Sequence, residues 1–150
     1  MKIYIKFLIN LFLKSFIYVV LIMTSLAFIL NLLGEVDFFK EIKVDISFPL
    51  FLTALNTPTM IFEMFPFIFL ISTQLFFIRL FENKEIDIFK YTGLKNSKIL
   101  TIIGILSLIV GILLTVFFYN FSSGLKNFYL ELKSQYTSDG KYLAVITKNG

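Results

Sequence analysis

The sequence predicts an all-α membrane protein: three transmembrane helices with a short cytoplasmic helix between the second and third, followed by the start of an exported β segment. Three observations carry that expectation. Hydrophobic residues make up 57% of the 150-residue chain, 20 of them Phe, and only 16% are charged. A soluble domain of this size cannot hide so much apolar surface, so lipid must cover it. The charges also fall in clusters that separate apolar runs of helix length, and lysines gather at the flanks of those runs.

Composition excludes whole classes of function. There is no Cys and no His. That removes disulfides, zinc sites of the usual kind, Ser-His and Cys-His nucleophile pairs, and a histidine switch near neutrality. No span holds paired acids, which a membrane-embedded acid–base enzyme would need. No catalytic residue, metal or cofactor is therefore expected. The net charge of +4 raises the question of nucleic acid, but no basic stripe with interleaved aromatics is present.

The N-terminus opens like a signal peptide, with Lys2, Lys6 and Lys14 before an apolar run. Residues 15–34, however, hold 20 positions without a charge, longer than a secretory core, and no small-x-small site ends them. They read as a retained first span, about 13–33, of roughly 30 Å. Thr24, Ala27, Asn31 and Gly34 recur at helical spacing, either as a contact face inside the membrane or by chance. A link over 35–45 comes next, with Glu35, Asp37, Glu41 and Asp45 against Lys40 and Lys43.

Residues 46–78 are apolar apart from Glu63 and contain Pro49, Pro58 and Pro66. Split at Glu63, the pieces have 17 and 15 residues, both below the roughly 20 that an untilted crossing needs. One span over about 60–81 fits better. Residues 46–57 are then an interfacial or re-entrant piece, or an outward extension of the same helix. Glu63 reads either as part of a polar path or as an interfacial acid between two prolines, and the second suits the span count.

A charged island runs from Arg79 to Lys98. Within it Asn83 can cap a helix, Glu85 and Asp87 fall in its first turn, Lys90 in its last, and Gly93 ends it. A helix over 84–92 would be roughly 13 Å long. Ile86 and Phe89 share one face and Ile88 and Tyr91 another, so both a partner groove and the span ends can grip it. The plainer alternative is a solvated inner loop. Span 3 covers about 97–120. Gly104, Ser107, Gly111 and Thr115 share one of its faces, and two glycines in a helix centre need a packing reason.

The charge counts set orientation. The N-terminal flank and the island are basic, the link 35–45 is acidic, and together they place the N-terminus and the island inside. The tail after Phe121 is then outside, although it holds four Lys against two acids. In the tail, 124–136 reads as a short amphipathic helix with Leu125, Phe128, Tyr129 and Leu132 on one face. Residues 138–140 read as a turn and 141–148 as a strand. Asn149-Gly150 is a hairpin-turn dipeptide with no second strand after it, so the chain is expected to be an N-terminal fragment of a longer protein. In domain terms, 1–121 is the transmembrane region and 122–150 the truncated beginning of an exported domain.

Together these residues resemble the permease family of lipopolysaccharide export, the LptF/LptG type. That family carries a proline-bearing second span followed by an acid, an apolar residue, a basic residue and a glycine in fixed order. Here Phe65-Pro66 leads into the inner half of span 2, and Glu85-Ile86-Asp87-Ile88-Phe89-Lys90-Tyr91-Thr92-Gly93-Leu94 presents that order at offsets zero, one, five and eight. The segment 142–150 looks like entry into the family's periplasmic β-jellyroll. The chain departs from the pattern at Lys84, where a small residue is usual, and at Lys90, where arginine is commoner; lysine makes no bidentate fork.

The resemblance implies a multi-pass inner-membrane permease subunit of an ABC transporter, with its N-terminus cytoplasmic and its C-terminal segment periplasmic. It implies four partners: a cytoplasmic ABC ATPase dimer, a paralogous permease, periplasmic lipopolysaccharide-bridge proteins, and lipopolysaccharide itself as substrate. Hydrolysis would belong to the ATPase, in keeping with the lack of any Gly-rich phosphate loop here. The residues implied in coupling to it are Glu85, Ile86, Asp87, Phe89, Lys90 and Gly93. Family members meet lipid phosphates with basic residues near the outer end of the first span. Asn31, Lys40 and Lys43 are the candidates in that region, although both lysines lie past the span and acids outnumber them. Gly104, Ser107 and Gly111 are the helix-packing candidates. The alternative is a small three-span scaffold without transport activity, whose island recruits a cytoplasmic protein.

Overall fold

Where lipid replaces water, backbone N–H and C=O groups have to be satisfied within the chain, and a helix does so within a single segment. The computed structural model describes residues 3–42, 44–82, 87, 89, 91, 93 and 95–136, and every regular element among them is helical. The predicted turn at 138–140 and strand at 141–148 lie outside the described residues. Helix α1 (Ile3–Phe38) has 36 residues, about 54 Å, well beyond a hydrocarbon core of roughly 30 Å. It ends in a short link in which the Phe39 N–H donates to the Glu35 carbonyl at 3.1 Å and the Phe48 N–H to the Asp45 carbonyl at 2.9 Å.

The apolar stretch after the link forms two helices. Helix α2 (Ser47–Glu63) and helix α3 (Phe65–Glu82) meet at a turn on Met64. Pro66 explains the break. It has no N–H to give, and its ring would clash with the preceding turn of a continuous helix, whereas both properties are tolerated in the first turn of a new one. Pro58 sits inside α2. Around it Thr53 donates to the Pro49 carbonyl at 2.8 Å and Thr57 to the Thr53 carbonyl at 2.7 Å, so the hydroxyls are satisfied by their own helix.

Helix α4 (Asn96–Leu113) passes through a π-helical turn (Leu114–Phe118) into helix α5 (Tyr119–Ser134) without interruption. The predicted amphipathic helix of the tail is thus the continuation of the third apolar helix. By length and composition, Ile3–Phe38, Phe65–Glu82 and the continuous Asn96–Ser134 can each cross a membrane.

The chain divides into two compact units. The first comprises Met1–Met23 and Met64–Leu114. Its core is Leu8 and Phe12 of α1, Phe76 and Leu80 of α3, and Ile99 and Ile103 of α4, joined by Phe89. The Phe12 and Phe76 rings meet edge-on with centroids 6.0 Å apart, and Phe16 lies 5.0 Å from Phe69. Lipid is as apolar as these side chains, so close packing and ring geometry hold the helices together here. Arg79 donates to the Ser15 hydroxyl at 3.4 Å and lies 5.5 Å from the Tyr18 ring centroid.

The second unit comprises Thr24–Glu63 and Thr115–Gly150. Here α2 runs antiparallel to the last helix, with Phe62 against Phe118, Thr59 donating to the Ser122 carbonyl at 3.1 Å, Phe51 against Phe128, and Phe48 against Tyr136. Phe39, Leu52, Leu55 and Tyr129 form its apolar core.

Replacing Phe12 by Ala removes roughly 100 Å³ of fully buried ring. At ~24 cal/mol per Å³ of cavity, the first unit should lose about 2 kcal/mol even without a water-transfer contribution. Thermal unfolding in detergent should show this as a lowered midpoint, and Ile105→Ala, at a position 58% exposed, should leave it unchanged.

Candidate functional site

Of the island, the described residues are Asp87, Phe89, Tyr91 and Gly93, together with the flanking helices. Asp87, Phe89 and Tyr91 are helical, and Gly93 takes φ +77°, a left-handed conformation that costs glycine little and other residues more. Phe89 turns inward, is only 9% exposed, and belongs to the buried cluster of Leu8, Phe12, Phe76, Leu80, Ile99 and Ile103. Its ring lies 5.9 Å from that of Phe7. Tyr91 is 92% exposed, and Asp87 also faces outward. Glu85, Ile86 and Lys90 lie outside the described residues, as do Asn83, Lys84 and Ile88. One aromatic side chain of the island therefore joins the close-packed core that α1, α3 and α4 share.

A second constellation, in the other unit, is one that the sequence does not announce. Glu35 near the end of α1 and Lys133 in α5 form a buried ion pair, with the Lys133 ammonium 2.9 Å from Oε1 and 3.0 Å from Oε2. Their side chains are 4% and 8% exposed. The Tyr129 hydroxyl donates to Glu35 Oε1 at 2.7 Å and accepts from Lys133 at 2.8 Å. The Phe38 ring centroid lies 4.4 Å from the ammonium. Burying two charges costs several kcal/mol per ion, and the arrangement is tolerable because every partner is hydrogen-bonded. It fixes the register of α1 against α5.

Counting acids for orientation assigns Glu35 to an outer polar link and hides this role. The signal that could have found it is the pairing of Tyr129 and Lys133, a phenol and a cation one turn apart beside the apolar face of a helix.

The other residues singled out from sequence have plainer settings. Asn31 donates to the Thr53 carbonyl at 3.2 Å and accepts from Asn56 at 3.1 Å, tying α1 to α2. Lys40 pairs with Asp37 on the surface, and Lys43 lies outside the described residues. Glu63 meets Lys126 at 3.5 Å with both side chains well exposed, a surface contact of little energetic weight. A Cβ built on Gly104 or Gly111 meets nothing within 4 Å, so no close approach is made there among the described residues. Ser107 is half-buried. Among the described residues no group of His, Cys, Asp or Glu is arranged to hold a metal. The arrangement offers mechanical linkage and register.

Lys133→Met should destabilise the second unit by about 3–5 kcal/mol, because it strands the Glu35 carboxylate. Adding Glu35→Gln should recover most of that loss. Thermal unfolding of the single and double variants in detergent checks both expectations.

Comparison with curated proteins and with solved structures returned no match. Comparison with family models matched residues 6–149 to the lipopolysaccharide export system permease LptF/LptG. That match spans nearly the whole chain and joins the helices able to cross a membrane to a transport role. The chain belongs to the LptF/LptG family of lipopolysaccharide export permeases.

Proposed function

We propose that this chain is the permease part of an inner-membrane ABC transporter that extracts lipopolysaccharide and passes it to a periplasmic bridge, driven by a separate ATPase. In this reading the N-terminus and the island face the cytoplasm. Residues 84–92 form a coupling helix that the ATPase grips and pushes when it closes on ATP.

The observation that carries the proposal is the seat of Phe89. A coupling element has to be stiff against the spans that it moves, and Phe89 is buried in the core cluster to which α1, α3 and α4 contribute. Tyr91, 92% exposed, is left for the partner. Glu85 supplies a charge that pairs with a basic residue of the ATPase groove, which sets register more than affinity. By helical spacing Ile86 shares the face of Phe89, Lys90 offsets the C-terminal end of the helix dipole, and Gly93 lets the chain turn back towards α4. Family membership supports a transporter subunit that is not itself an enzyme.

Glu85→Lys should abolish co-purification of the ATPase and stop lipid export while leaving membrane insertion intact. Unchanged ATPase recovery would remove the coupling role. Phe89→Ala should keep the ATPase bound yet lower export severalfold, because the grip remains and the linkage to the spans is lost. The chain has no Cys, so Lys90→Cys reports sidedness cleanly. A membrane-impermeant thiol reagent should reach it only in inverted vesicles, and labelling from the periplasmic side would overturn the topology.

A further inference from the structure

Arg79 closes the uncharged run 64–78 of α3, and Lys14 comes just before the uncharged run 15–34 of α1. Within the first unit those two boundaries meet. The Arg79 guanidinium donates to the Ser15 hydroxyl at 3.4 Å and lies 5.5 Å from the centroid of the Tyr18 ring. Lys14 is exposed and stands one helical turn before Tyr18, on the same side of α1. A guanidinium has five N–H donors, and among the described residues that single long bond is the only one Arg79 makes. No carboxylate there pairs with Arg79 or Lys14, and the Tyr18 hydroxyl has no hydrogen-bond partner. Arg79 is nevertheless half-buried, so the ring and the serine hold its charge in place at the end of a span.

Two cations and a phenol without an acid make a site for an anion, and their depth says which one. The end of an uncharged run is the level at which lipid phosphates stand, and basic residues between spans are a recurrent seat for lipid headgroups. Arginine also matches phosphate with two parallel N–H bonds. Further into the span, on the side of α1 that carries Lys14 and Tyr18, Leu21 and Ile22 are 62% and 50% exposed. A free anion would satisfy the donors and leave that apolar stripe bare, whereas a phospholipid meets both.

We propose that Arg79, Tyr18 and Lys14 seat the phosphate of an anionic glycerophospholipid, whose acyl chains lie along α1 beside Leu21 and Ile22. Such a seat requires that α1 and α3 cross a membrane but not which way they face, so it stands apart from the proposed function.

The test uses the full-length protein with the subunits that co-purify with it. It is titrated in detergent with dioleoylphosphatidylglycerol or dioleoylphosphatidylcholine, and bound lipid is counted by native mass spectrometry. Both lipids carry the phosphodiester, but only the first has a net charge. The wild type should hold phosphatidylglycerol severalfold more tightly. Arg79→Gln should weaken that binding roughly tenfold, the usual scale for a charge-assisted hydrogen bond, and Arg79→Lys should keep part of it. Tyr18→Phe keeps the ring and removes the hydroxyl, and should cost about threefold. That variant carries the test if Arg79→Gln does not fold. Equal binding of the two lipids by the wild type would overturn the inference. So would binding indifferent to both Arg79→Gln and Tyr18→Phe, the result expected if a carboxylate of another helix occupies the guanidinium. Displacement of the lipid by millimolar inorganic phosphate would overturn a phospholipid as the occupant.

Discussion

In hydrocarbon a polar group has only the protein to bond with, and that constraint orders most of what is seen in this chain. It is why every regular element among the described residues is a helix, and why Thr53, Thr57, Ser72, Thr73 and Thr101 turn their hydroxyls back onto carbonyls of the preceding turn. It explains why Glu35 and Lys133 can be buried at all, since each finds the other and Tyr129.

The two units meet the constraint with different chemistry. The first relies on rings and branched side chains, with Phe12, Phe76 and Phe89 at its centre. The second joins its helices through polar contacts as well, among them Asn31 to Asn56, Thr59 to the Ser122 carbonyl, and the ion pair. Apolar packing specifies volume, whereas hydrogen bonds specify partners atom by atom. Register is therefore fixed more narrowly in the second unit.

Much of the architecture was legible in the sequence because lipid leaves so few options. Long uncharged runs and flanking lysines suffice to expect helices able to cross a membrane, and the island's order of acid, apolar residue, base and glycine pointed to the family. Helical spacing put Phe89 on one of two apolar faces without saying which turns inward, whereas glycine at the end of the island's charged pattern suits the left-handed conformation of Gly93. Other features were hidden for physical reasons. An apolar run reads the same whether it forms one helix or two, so the separation of α2 from α3 at Met64 rested on Pro66 alone. Glu35 and Lys133 are distant in sequence, and nothing local to either names the other. The π turn carries no compositional mark at all.

Tyr129 and Lys133 lie four residues apart on α5, and that interval decides where both point. An α-helix turns by about 100° per residue, so four residues bring a side chain back to nearly the same side. The phenol and the ammonium therefore reach one carboxylate together. A relative with one residue fewer between them would keep an equally regular helix, yet its lysine would swing away from the carboxylate. In this part of the molecule the spacing of residues is therefore as binding a requirement as their identity.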